Sequence, residues 1–164
     1  MLIFNILLIV SVFLCSLVAG FLFAYAVVVM PGIKNLDDKQ FIKAFQVTDR
    51  VIQDNHPLFL FVWVGSAIAL ILSVYFGYGA LGRVEFILLL IALILYLAGV
   101  QVLTIIINLP LNNKLQKIDV NAIHSEELKA VRVEFELRWN KSNKIRTAIA
   151  CGVTLLLIIL VFWQ

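Results

Sequence analysis

Apolar and polar positions alternate along this chain in long blocks. No charged residue occurs between Met1 and Ile33, and Leu2–Met30 is one apolar run. Three more uncharged runs follow, at Pro57–Tyr78, Phe86–Leu109 and Thr147–Gln164. A helix needs about 20 residues to cross a bilayer core at ~1.5 Å each, so every run is read as a spanning helix. The expected spans are about 2–30, 57–78, 86–109 and 147–164, with long connections at about 32–56 and 110–146. Spans two and three are joined only by the short Gly77–Glu85 segment and should pair antiparallel. The first run lacks the basic start and short apolar core of a signal peptide, so it is read as a span. Met30-Pro31-Gly32 and Pro110 are expected to end the helices that they follow.

The long connections have patterns of their own. In the first, Phe41, Ile42, Phe45 and Ile52 form a stripe at helical period, interrupted at Thr48, behind a capping Asp37 or Asp38. This predicts an amphipathic helix that lies along the headgroup boundary or covers the mouth of the bundle. In the second, Ser125-Glu126-Glu127 signals a helix start, and no breaker intervenes before span four. The predicted fold is all-α: one polytopic membrane domain, residues 1–164, with four transmembrane helices in an up-down bundle.

Composition sharpens this picture. Hydrophobic residues make up 63% of the 164-residue chain, charged residues 14%, and the mean hydropathy is +1.04. A soluble domain carries about 25% charged residues. A β-barrel would alternate polar and apolar positions along each strand, and this chain does not. The net charge of +3 reflects topology, not nucleic-acid binding. Of the 13 Lys and Arg residues, only Arg83 falls opposite the two long connections. Basic residues stay in the cytoplasm, which predicts cytoplasmic long loops, both termini outside, and a bacterial inner-membrane location. Cys15 and Cys151 lie in apolar runs with no metal-ligand spacing to each other or to His56 and His124, and are read as packing residues. Ser16, Gly20 and Ala24 in span one, and Gly65, Ala69 and Ser73 in span two, recur every four residues as expected helix-packing faces.

Candidate chemistry concentrates at one end. Gln101, Thr104 and Asn108 share a face of span three within about 60° at ~100° per residue, and Asn112-Asn113 follow. On the last helix Arg132, Trp139, Asn143 and Arg146 share a face. The two stripes should meet. One reading is a half-buried pocket walled by Trp139 and Tyr25, with amides from Gln101, Asn108, Asn112, Asn113 and Asn143, a cation at Arg146, and His56 at the same level. The other is a closed interhelical hydrogen-bond clamp.

The stretch Asn108-Leu109-Pro110-Leu111-Asn112-Asn113, with Arg138-Trp139-Asn140 through Asn143 to Arg146, resembles the anthrone-oxygenase-like family of small four-helix membrane proteins. Val27-Val28-Val29-Met30-Pro31-Gly32 is similar to that family too, and the likeness extends over almost the whole chain. Thr48-Asp49-Arg50 stands where the family pattern leads one to expect an asparagine-arginine pair. Members linked to fungal polyketide pathways are associated with oxidising an anthrone to an anthraquinone with molecular oxygen; most members are bacterial and uncharacterised. The resemblance thus implies an oxygenase-like oxidoreductase acting on a lipophilic phenolic or quinone-like molecule, with oxygen as co-substrate and no other cofactor evident. His56 is the candidate base, and Arg146 with Asn143 the candidate anion stabiliser. The competing function is a non-catalytic membrane subunit that binds lipid, a quinone, further copies of itself or a larger complex. A transporter is disfavoured, because there is no internal repeat and no charge within the spans.

Overall fold

The computed structural model describes residues 1–163; the last position of the fourth expected span, Gln164, lies outside them. Five helices contain nearly all of the chain: α1 (Leu2–Ile33), α2 (Asp38–Gln53), α3 (Pro57–Gly77), α4 (Arg83–Gln116) and α5 (Ser125–Phe162). Among the described residues there is no β-strand. The fold is all-α, and α1, α3, α4 and α5 are long and apolar enough to cross a membrane, with mean hydropathy of 2.3 to 2.8 in their apolar windows. Around the bundle α1 packs on α3 and α5, and α4 closes the ring against both. Ile3, Ile6, Ile9 and Phe13 stay exposed along the outside of α1, as they should where the solvent is lipid.

Both prolines expected to stop a helix lie inside one. α1 continues through Pro31 to Ile33, and α4 continues through Pro110 to Gln116. Each is preceded by a widened π turn, Tyr25–Val29 before Pro31 and Thr104–Asn108 before Pro110. There the Met30 N–H reaches back to the Tyr25 carbonyl and the Leu109 N–H to that of Thr104, five residues away instead of four. A proline ring crowds the carbonyl four residues earlier, and the extra residue in the turn makes room for it.

The two small-residue stripes part company. Gly65, Ala69 and Ser73 face inward: Ser73 Oγ lies 3.0 Å from Ser11 Oγ, and a Cβ on Gly65 would touch Leu14. Ser16 and Gly20, by contrast, are exposed, because α1 turns Ser11, Cys15, Val18 and Leu22 toward its neighbours. Cys15 is buried and Cys151 exposed, so only the first is a core packing residue.

α2 covers one end of the bundle. Asp37 caps it, accepting from the Gln40 N–H at 2.8 Å, and Phe41, Ile42 and Phe45 bury against Leu111, Leu115, Phe135 and Trp139. Gln46 secures it by donating to the Leu115 and Ile118 carbonyls at 2.8 and 2.9 Å, at and just beyond the end of α4. Arg132 of α5 ties down the preceding link through the Lys34 and Leu36 carbonyls and Asp38. Asn55, at φ 58°, makes the tight turn into α3, in a left-handed conformation that asparagine tolerates. At its far end, α5 begins at Ser125 itself with His124 in the cap position, so Ser125 is the first helical residue and not the cap. Its 38 residues extend about 57 Å, far beyond a bilayer core of ~30 Å.

Candidate functional site

Under α2 the four long helices enclose a cavity of about 300 Å³, at the low end for small-molecule sites. α1 contributes Phe21, Leu22 and Tyr25; α2 contributes Phe45 and Asp49; α3 contributes Phe59 and Trp63. α4 contributes Thr104, Asn108 and Asn112, and α5 contributes Trp139, Asn143 and Arg146. The walls are largely aromatic. Tyr25 lies 5.6 Å from Trp139 and 4.9 Å from Phe21, and Phe59 stacks on Trp63 at 5.5 Å between ring centres.

α4 and α5 run antiparallel, so their polar stripes meet rung by rung. Arg146 donates to Thr104 Oγ1 at 2.8 Å, Ser142 to Asn108 Oδ1 at 2.6 Å, and the Trp139 indole to Asn112 Oδ1 at 2.8 Å. Residues 104, 108 and 112 thus engage 146, 142 and 139. Arg146 also donates to Asn143 Oδ1 at 2.9 Å, and Asn143 donates to the Leu22 carbonyl at 3.1 Å, which ties α5 to α1 just before the wide turn. The clamp and the cavity therefore coexist: the polar side chains bond to one another along one wall and leave the space beside them open.

Arg146 is only 3% exposed, and its guanidinium bonds to neutral groups alone. Among the described residues no carboxylate comes within ion-pairing distance of it. Its carbon lies 5.9 Å from the Trp139 ring centre, within cation–π range. A buried cation without a counter-charge is costly, and an anionic or strongly polarised oxygen in the cavity would relieve that cost.

Of the residues singled out from sequence, Asn108, Asn112, Trp139, Asn143, Arg146 and Tyr25 line the cavity. Four others, Gln101, Asn113, His56 and Arg132, do not. Gln101 sits off the cavity, its Nε2 buried without a hydrogen-bond partner, because wide turns at Leu97–Val102 and Thr104–Asn108 carry it out of line with Thr104 and Asn108. Asn113 is exposed and accepts from Gln53 at 3.1 Å. His56 is exposed at the start of α3, and the Asn55 turn places Asn55, not His56, in the cavity wall. Arg132 belongs to the link before α2 and not to this cluster.

The structure adds one charged residue, Asp49, which is 2% exposed. It follows Phe41 and Phe45 at intervals of four and so lies on the buried face of α2. Thr48, where the apolar stripe seemed to break, turns its hydroxyl back to the Ala44 and Phe45 carbonyls. Among the described residues no group of three His, Cys, Asp or Glu side chains comes together.

The wall between α3 and α4 is thin at this level. The two helices pack together beside their short connection and part toward α2, where Leu60, Ile105 and Leu109 line the cavity and also reach the outer surface.

Comparison with curated proteins and with solved structures gave no match. The model of the anthrone oxygenase family matches residues 58–156, which include Thr104, Asn108, Asn112, Trp139, Asn143 and Arg146 but not Tyr25 or Asp49. With that match covering more than half of its 164 residues, the chain belongs to the anthrone oxygenase family.

Proposed function

We propose that this protein binds a small lipophilic aromatic ketone in the cavity beneath α2 and oxidises it with molecular oxygen, as in the conversion of an anthrone to an anthraquinone. The observation that carries this reading is an aromatic-walled cavity of about 300 Å³ whose lining includes a buried Arg146 that forms no ion pair among the described residues. Family membership supports the choice of substrate class.

The chemistry asks little of the protein. Loss of a proton from the saturated ring carbon leaves an electron pair that spreads through the rings onto the carbonyl oxygen. Arg146, held by Thr104 and Asn143, would stabilise the negative charge there, and a fixed cation is worth far more in a dry cavity than in water. The electron-rich carbon then forms a bond to oxygen, and the resulting peroxide anion takes back the proton removed in the first step to give a hydroperoxide. Loss of water from it leaves the second carbonyl, so one oxygen atom stays on the carbon and the other leaves in water. Substrate would enter from the bilayer between α3 and α4, past Leu60, Ile105 and Leu109. The distribution of Lys and Arg supports a cytoplasmic position for α2 and for the cavity end.

The test is anthraquinone formation and oxygen uptake by the purified protein in liposomes supplied with anthrone. Stoichiometric uptake with product formation above the protein-free rate is expected. If anthraquinone binds but anthrone is not turned over, the protein is a ligand-holding membrane subunit and not an oxygenase.

A further inference from the structure

We infer that Asp49 is the base that removes the ring proton, an assignment that rests on the oxidative reading of the cavity. Its carboxylate is buried and lines the cavity, and with Arg146 it supplies the charge in the lining. Tyr25 of α1 is the other titratable residue there. Neither His56 nor His124 takes part in the wall.

The hydrogen bonds around Asp49 hold it in place without occupying it fully. Oδ2 accepts from Gln116 Nε2 at 3.0 Å and from Gln53 Nε2 at 3.1 Å, whereas Oδ1 accepts only from Asn112 Nδ2 at 2.7 Å. A carboxylate oxygen has two lone pairs, so Oδ1 keeps one for an incoming proton. All three donors are amides, which cannot give up a proton and would not compete for the role.

Asn112 also links the two ends of the reaction. It accepts from the Trp139 indole while donating to Asp49, and the Trp139 ring packs near the Arg146 guanidinium. Carboxylate and guanidinium are thereby fixed relative to one another, yet they are not paired as an ion pair. A ketone lying against Trp139 would present its carbonyl oxygen to Arg146 and its acidic carbon to Asp49. In the step, the C–H bond breaks, an O–H bond forms on Asp49, and the electron pair moves to the carbonyl oxygen beside Arg146.

Proton removal can be measured without oxygen. Anthrone in heavy water, under anaerobic conditions, should gain deuterium at its saturated ring carbon faster with the wild-type protein in liposomes than without it. Asp49→Asn should slow that protein-catalysed exchange by about 100-fold or more, the usual scale for a general base, while anthraquinone affinity changes less than about threefold. A folded, anthraquinone-binding Asp49→Asn that exchanges within threefold of wild type overturns the assignment, and the oxidative reading survives if anthraquinone still forms in air. Wild-type exchange without product in air would instead sink the oxidative reading and leave Asp49 as a base. A wild-type protein that accelerates no exchange overturns the assignment outright. Should Asp49→Asn not fold, Asp49→Glu decides, since it keeps a charge for the three amides but advances the carboxylate by one methylene. Exchange altered by tenfold or more at unchanged affinity supports the assignment, and exchange within threefold contradicts it.

Discussion

At Trp139 one substitution separates packing from hydrogen bonding. Trp139→Phe keeps an aromatic ring among Tyr25, Phe45 and Phe135 but removes the donor to Asn112, leaving a half-buried oxygen without that partner. We expect a loss of about 1–3 kcal/mol in unfolding free energy, read from denaturation in detergent, together with slower anthrone oxidation. Arg146→Met asks the converse question. It fills similar volume and removes the buried charge but leaves Thr104 Oγ1 and Asn143 Oδ1 without that donor, so the two effects oppose and unfolding free energy should change by less than about 3 kcal/mol. Turnover should fall by about 10²–10³-fold, the scale for losing one oxyanion donor, and a steady-state assay with anthrone checks it. Most of this cluster was legible in the sequence, because Asn108, Asn112, Trp139, Asn143 and Arg146 recur at helical spacing on two neighbouring helices. Asp49 was missed although it follows Phe45 by four residues: the stripe runs on to Ile52 with its break at Thr48, and the apolar pattern gives no reason to count the charge beside that break on the buried face.

Among the elements, the wide turns decide what faces the cavity. Counting at about 100° per residue puts Gln101 in line with Thr104 and Asn108, but two π segments in α4 alter that count and leave it outside. Wide turns at Tyr25–Val29 and Thr104–Asn108 also carry the helices through Pro31 and Pro110, which local rules read as stops. Pro110→Ala restores the missing N–H and lets α4 close into regular helix. It should raise the melting temperature and weaken anthraquinone binding, because Thr104 then rotates relative to Arg146; calorimetry and ligand titration would show both changes. Gly99 marks the close approach of α4 to α5, where a Cβ would stand 2.5 Å from Ile149 Cδ1. Gly99→Val is expected to cost about 1–3 kcal/mol, with part recovered by adding Ile149→Ala, as a double-mutant unfolding cycle would reveal.

For the whole molecule, the four spanning helices followed directly from the lengths of the uncharged runs. Their arrangement did not: the exposed Ser16–Gly20 face of α1 and the inward Gly65–Ala69–Ser73 face of α3 carry the same pattern, and only packing distinguishes them. Orientation in the membrane rests on the basic residues gathered at the α2 end. With Cys15 and Cys151 replaced by alanine, a cysteine at Gly79 in the short turn should react with an impermeant thiol reagent on intact cells. One at Asn121 should react only after permeabilisation, and the opposite pattern would invert the topology. If the protein acts as proposed, the aromatic ligand sits in the cavity beneath α2. The most direct measurement is a density map of the protein with bound anthraquinone. Flat density between Trp139 and Arg146, with a carbonyl oxygen within hydrogen-bonding distance of the guanidinium, is the predicted result; a ligand bound elsewhere, with this cavity collapsed or filled by its own side chains, would contradict it.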